Sequence, residues 1–215
     1  MRIAILGGTG NLGYGLAIRL CAAGNDVIIG SRDPARAQAA AERLQLHNAT
    51  GAANSDACRR SELVVLTVPL EGHGEFVKSV ASELSGRIVV DATVSMGEGR
   101  AFVPPPAGSA AAETQTLVAD ARVVAAFHTL SARLAADASK PLDQDVLVCG
   151  DDAAARAQVI ELANAIGARG IDAGGLQSAA AIEAFAVVLI GMNIRYRRRD
   201  LGLRIAHLPA DARPR

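Results

Sequence analysis

Apolar runs that alternate with helical segments, a glycine-rich turn directly after the first run, and a change of pattern past Gly174-Gly175 predict an α/β protein. The fold class expected is a Rossmann-type doubly wound parallel sheet over residues 1–175, followed by a small helical C-terminal domain over 176–215.

Each element follows from its local pattern. Residues 2–6 (RIAIL) form a short run stopped by glycines, as a strand buried on both faces requires. Leu12, Leu16, Leu20 and Ala23 then recur at near-helical spacing, and Gly24-Asn25 ends that helix. Residues 26–30 (DVIIG) are a second buried strand. Asp33-Pro34 supplies a cap and a first-turn proline for a surface helix over 35–46. A short helix is expected over 54–59, a third strand over 63–68, a helix over 74–84 and a fourth strand over 87–91. Residues 92–108, with three consecutive prolines, read as a loop. Beyond it come a helix near 113–119, strands near 123–126 and 145–149, a helix over 152–166, a strand over 169–172, and a long apolar helix over 177–196.

Composition excludes several classes. The 22 basic and 22 acidic residues cancel, which argues against a nucleic-acid partner. Cys21, Cys58 and Cys149 are odd in number and scattered, so neither a disulfide framework nor a metal site is expected and a cytoplasmic setting is. The longest unbroken apolar run, 184–192, is about half of what a membrane span needs, so no membrane association is expected.

Gly8, Thr9, Gly10, Asn11, Leu12 and Gly13 match G-x-G-x-x-G between a strand and a helix, the context in which that motif binds a dinucleotide pyrophosphate. At the end of the second strand, an acidic residue would hold a ribose 2′-hydroxyl. This chain has Ser31 and Arg32 there, with Arg36 four residues on. A hydroxyl and two guanidinium groups in place of a carboxylate predict NADP(H), with Ser31, Arg32 and Arg36 around the 2′-phosphate. The ends of strands three and four, 67–70 and 92–95, are small and mostly apolar, as a desolvated hydride-transfer crevice requires.

The opening MRIAILGGTGNLGYGLAIRL with GSR, then LVVLTVP, VVAAFHTLSARLA, LVCGDDAAARAQVIEL, IDAGGLQSA and MNIRYRRRDLGLRI, resemble the F420-dependent NADP reductases across essentially the whole chain. The resemblance implies hydride transfer between NADP(H) and the deazaflavin coenzyme F420. Transfer from ring carbon to ring carbon asks the protein mainly for orientation and exclusion of water. It implies that Thr67, Pro69, Leu70, Val94 and Ala132 line the nicotinamide side. His128, with the backbone of Leu130 and Ser131, would face the deazaflavin. An imidazole of ordinary basicity at His128 would also assist ring protonation.

The chain departs from the family pattern at Ser131, where proline is frequent, and at Ala184, Ala186 and Val187, where Ser, Thr and Pro are usual. That keeps two alternatives open: NADPH-dependent reduction of another small acceptor, and a non-catalytic NADPH-binding sensor. The 177–196 helix is apolar nearly all round, which predicts burial against the cleft or in a homodimer or higher homo-oligomer. His47 and His207 read as surface residues, His73 as a neighbour of the cleft, and Asp151-Asp152 as a helix cap. Residues 195–215 carry seven arginines against Asp200 and Asp211, a basic segment suited to an anionic cofactor tail or to solvent.

Overall fold

The computed structural model describes residues 1–209. The strands are β1 (Arg2–Leu6), β2 (Asp26–Ser31), β3 (Ala49–Ala53), β4 (Leu63–Leu66), β5 (Ile88–Asp91), β6 (Arg122–Ala125), β7 (Asp145–Gly150) and β8 (Arg169–Asp172). The helices are α1 (Asn11–Ala22), α2 (Pro34–Leu44), α3 (Asn54–Arg59), α4 (His73–Ser79), α5 (Ala81–Leu84), α6 (Ala110–Leu117), α7 (Ala132–Ala135), α8 (Ala153–Ala165) and α9 (Ala179–Arg195). The strands form one sheet in the order β3-β2-β1-β4-β5-β6-β7-β8. β4 and β5 are buried throughout, as is β1 from Ile3 onward, which is why they read as unbroken apolar runs. One core, around Leu16, Leu20, Val65 and Val159, sits under α1, α2 and α8; the other, around Leu66, Val77 and Val89, lies on the opposite face of the sheet.

The sheet departs from a wholly parallel one. β1 to β6 run parallel in the doubly wound order, but β7 is antiparallel to β6, and β8 follows β7 in parallel. The chain leaving β6 carries only the one-turn α7 before β7. Close contact of Gly15 with Ala135 and Ala136 seats α7 on α1. With no crossover helix to return the chain, β7 enters from the end where β6 stops.

β3 was not expected. Its sequence, ATGAA, has little strand propensity, yet it pairs with β2 from Val27↔Ala49 to Ser31↔Ala53. The Asn48 side-chain amide donates to Cys21 O (2.9 Å) and Asn25 O (2.8 Å), which delivers the strand to the sheet edge. The 74–84 helix is two helices, broken at Val80 (φ −124°). The helix expected near 113–119 begins at Ala110, because Ser109 accepts from Ala112 N–H at 3.0 Å and caps it. Asp33 and Asp152 cap α2 and α8 as expected, accepting from Ala35 N–H (2.9 Å) and Ala155 N–H (2.7 Å).

α9 buries one stripe, with Ile182, Glu183, Ala186, Val187 and Leu189 facing inward and Val188, Met192 and Ile194 exposed. The expectation that no segment approaches span length needs correction. The helical stretch Leu176–Arg195 contains an 18-residue window of mean hydropathy 1.5, long and apolar enough to cross a membrane by length and composition. After α9 the chain returns to the sheet. Asp145 N–H donates to Leu203 O (2.8 Å), the Asp145 carboxylate pairs with Arg169, and Arg169 donates to Ile205 O and Leu208 O. Of the basic segment, Arg198 pairs with Asp200 and Arg204 with Asp143. Asp211, Arg213 and Arg215 lie outside the described residues.

Candidate functional site

The glycine turn joins β1 to α1 at the carboxyl edge of the parallel strands. Gly7 takes a left-handed conformation (φ +81°), where a side chain would also lie 2.7 Å from Thr67 O. A Cβ on Gly13 would stand 2.5 Å from Thr67 Oγ1 and 2.8 Å from Gly8 Cα, so only glycine lets α1 approach β1 and β4 this closely. Gly10 opens α1 with no side-chain cap and no acidic residue in the first turn. The helix therefore offers free N–H groups and the positive end of its dipole to an anion. Gly8, Thr9, Gly10, Asn11, Leu12 and Gly13 are brought together as one cradle.

Ser31 closes β2, and its Oγ accepts from Asp33 N–H (3.2 Å). Arg32 and Arg36 are exposed, and among the described residues neither pairs with a carboxylate. Arg32 precedes α2, which begins at Pro34, so it lies outside the helix that carries Arg36. Both residues follow the end of β2 and are exposed. Asn54, at the start of α3, was missed: its Oδ1 is buried without a partner and lies against Gly30, where a Cβ would be 2.8 Å away. The orphaned amide becomes evident only when α3 is folded against the end of β2.

On the other half of the edge, Thr67 donates Oγ1–H to Leu6 O (3.0 Å). Thr67, Leu70, Val94 and Ala132 are half-buried, and Pro69 is exposed. A pocket of about 440 Å³ shares Leu70 with this expected lining and is otherwise bounded by His73, Lys78, Glu113 and Pro104-Pro105. Arg19, on α1, is buried and donates to the carbonyls of Leu134, Ala135, Asp137 and Lys140 at 2.5–3.2 Å. Those bonds hold the segment that follows Leu130, Ser131 and Ala132. Ser131 spends its polar groups inside the fold. Its N–H donates to Gln144 Oε1 (2.8 Å), and its Oγ donates to Arg199 O (3.0 Å) while accepting from Leu134 N–H.

His128 follows Phe127, a fully buried residue held at φ +68°. Its Nε2 bonds to Thr93 O at 3.1 Å. A carbonyl only accepts, so the proton sits on Nε2. Burial pushes the imidazole down to about 4, and attraction to Asp91 only partly opposes this. His128 is thus neutral near pH 7, and the expectation of a ring of ordinary basicity does not hold. Its bare Nδ1 and the nearby Thr93 Oγ1 are buried and unpartnered.

Two buried clusters carried no sequence pattern. His73, expected only near the cleft, is wholly buried between Asp91 Oδ2 (3.0 Å from Nε2) and Glu113 Oε2 (2.7 Å from Nδ1). Burial opposes its charge, but the bonds and attraction to Asp91 and Glu113 prevail and raise it to about 9. Glu183, buried on α9, accepts from Ser95 Oγ and from the N–H groups of Ala110 (3.1 Å) and Ala111 (3.3 Å), tying α9 to the start of α6. Burial raises its carboxyl above the ordinary range. In each cluster the partners lie far apart in the chain, so no local spacing announces them.

The glycine cradle, the uncapped α1, the acid-free β2 edge and the orphaned atoms of Asn54, Thr93 and His128 fit a phosphorylated dinucleotide beside a second ring. Comparison with known proteins agrees. Residues 2–95 match the family described as NADP oxidoreductase, coenzyme F420-dependent. The chain is 39% identical to the F420-dependent NADP reductase of Methanocaldococcus jannaschii, over 97% of this chain and 99% of that one. It is 40% identical to that of Methanothermobacter marburgensis, over 97% and 100%. A crystal structure assigned to an F420-dependent NADP reductase from Arthrobacter sp. FB24 superposes with a TM-score of 0.84 at 28% identity, covering 96% of this chain and 100% of that one. With 39–40% identity over 97% of its length, the chain belongs to the F420-dependent NADP reductase family.

Proposed function

We propose that this protein is an oxidoreductase that transfers a hydride between NADP(H) and coenzyme F420. The observation that carries the reading is the end-to-end match to two reductases of that activity. The structure supports it with a cradle only glycine permits and with Ser31, not an acid, at the carboxyl end of β2. NADP(H), when bound, supplies the hydride donor or acceptor carbon of its nicotinamide. Thr9 to Leu12 would hold the pyrophosphate against the α1 N-terminus. Ser31, Arg32 and Arg36 would hold the 2′-phosphate. Thr67, Pro69, Leu70, Val94 and Ala132 would exclude water around the nicotinamide, and Leu130, Ser131 and His128 would border the deazaflavin. His128, neutral in its buried position, serves through its place beside Thr93 and not as an acid. Ser131 serves through its position, since its hydroxyl is already engaged.

Mixing the protein with NADPH and oxidised F420 should bleach the deazaflavin absorbance. NADPH binding without bleaching would overturn the reading in favour of another acceptor. The apolar Ala184 and Ala186 on α9 are the observation that favours that second reading.

The exposed apolar side of α9 supports a homodimer. The buried Glu183, engaged from the middle of the apolar helix, supports α9 as a packing element of a cytoplasmic protein and not a membrane span. Residues 1–175 and 176–215 are read as the nucleotide-binding domain and the helical part that completes the second-substrate side.

A further inference from the structure

The hydrogen bonds around β5 form one continuous chain. Glu113 on α6 meets His73 at the start of α4, His73 meets Asp91 at the end of β5, and Asp91 also accepts from Thr114 Oγ1 at 2.7 Å. Asp91 is fully buried. Its other oxygen, Oδ1, accepts from Thr93 N–H at 2.9 Å, in the manner of an Asx turn. The carbonyl of the same Thr93 accepts from His128 Nε2 at 3.1 Å. The Thr93 residue is therefore held on both sides, by a buried carboxylate at its N–H and by an imidazole at its carbonyl.

This arrangement leaves His128 little choice. Both ring nitrogens of His73 face carboxylate oxygens, which only accept, so His73 carries two protons and a positive charge. That charge keeps Asp91 ionised despite complete burial: desolvation opposes ionisation, and the bond and attraction from His73 lead the opposing effects. An ionised Asp91 is a strong acceptor with a defined direction, so it fixes the turn at Ala92-Thr93. A fixed Thr93 carbonyl in turn selects the Nε2–H form of His128. Nδ1 is left bare, buried and unpartnered.

We propose that Asp91, clamped by His73 and Thr114, is a positioning residue for the second-substrate side of the cleft, fixing the Thr93 backbone and thereby holding His128 in the single tautomer protonated at Nε2. The inference rests on His128 bordering the cleft, as proposed above.

The test uses the full chain labelled with ¹⁵N-histidine. In the wild type without ligand, NMR should show His128 with Nε2 protonated and Nδ1 bare between pH 6 and 8. Asp91→Ala and Asp91→Ser remove the same charge and differ in whether an oxygen remains to accept from Thr93 N–H. Asp91→Ala should give mixed His128 tautomers, and Asp91→Ser should restore the single form. In turnover, Asp91→Ala should raise KM for F420 by about 10-fold, and Asp91→Ser should recover most of that loss. NADPH affinity is titrated in both variants as the comparison, and because the released Ala92-Thr93 turn adjoins Val94 the expected result is a larger loss for F420 than for NADPH. An unchanged tautomer in a folded Asp91→Ala protein would overturn the proposal. So would a wild-type His128 protonated at Nδ1, a measurement that needs no variant to fold. The tautomer readout needs no acceptor, so a failure to reduce F420 with the tautomer response intact would count against the substrate and not against the positioning role.

Discussion

At the residue scale, the end of β2 is where the proposed function puts the choice between NADPH and NADH. Ser31, Arg32 and Arg36 stand where an acid would repel a 2′-phosphate, and neither guanidinium is committed to a carboxylate among the described residues. Arg32→Ala should weaken NADPH binding on the order of 10-fold and leave NADH nearly unchanged. Fluorescence titration with both nucleotides measures this, and an unaltered NADPH/NADH preference would remove Arg32 from the 2′-phosphate site. Their place at the end of β2 was legible in the sequence because the motif and the strand end lie within one βαβ unit. His128 was legible as a residue but not in its chemistry. Its low basicity comes from burial and from Thr93, which is 35 residues away.

At the element scale, α9 shows how composition misleads about burial. Its sequence is apolar on nearly every side, yet the fold covers a single stripe and leaves Val188, Met192 and Ile194 to solvent. Glu183, the acidic residue within that stripe, is not an interruption. It satisfies the N-terminal N–H groups of α6 and fixes how α9 lies. The uncovered apolar side is the face on which a second copy would pack. Light scattering should therefore report a dimer, and Val188→Asp should shift it toward monomer without unfolding it. A wild-type protein that is monomeric at every concentration would exclude this interface. The smaller elements follow the same logic. β3 has too little strand propensity and α7 too few residues to be read locally; pairing with β2 and packing on α1 create them.

At the scale of the molecule, two buried histidines with opposite shifts set how stability responds to pH. His73 is raised to about 9 from 6.5 in the unfolded chain. Its contribution is complete below pH 6.5 and is lost as pH rises through 9. His128 is lowered to about 4, so below pH 6.5 the unfolded chain takes up a proton that the folded chain refuses. Stability is lost on that side as pH falls from 6.5 toward 4. Each arm is worth on the order of 3 kcal/mol. Thermal unfolding across pH 5 to 9.5 should show its highest Tm near pH 6.5, and His73→Gln should flatten the alkaline arm. A Tm profile that is flat on both sides would show that neither histidine has the environment described.

The sequence by itself determined the Rossmann core, the nucleotide cradle and the preference expected at the β2 edge. Those features are written in short apolar runs, glycines and neighbouring side chains whose roles depend on residues a few positions away. Only the tertiary structure decided the reversal at β7, the edge strand β3, the stripe of α9 that is buried, and the chain Glu113–His73–Asp91–Thr93–His128. Each of these depends on groups brought together from distant parts of the chain. Burial among such partners decides where protons sit and which polar atoms remain free for a ligand.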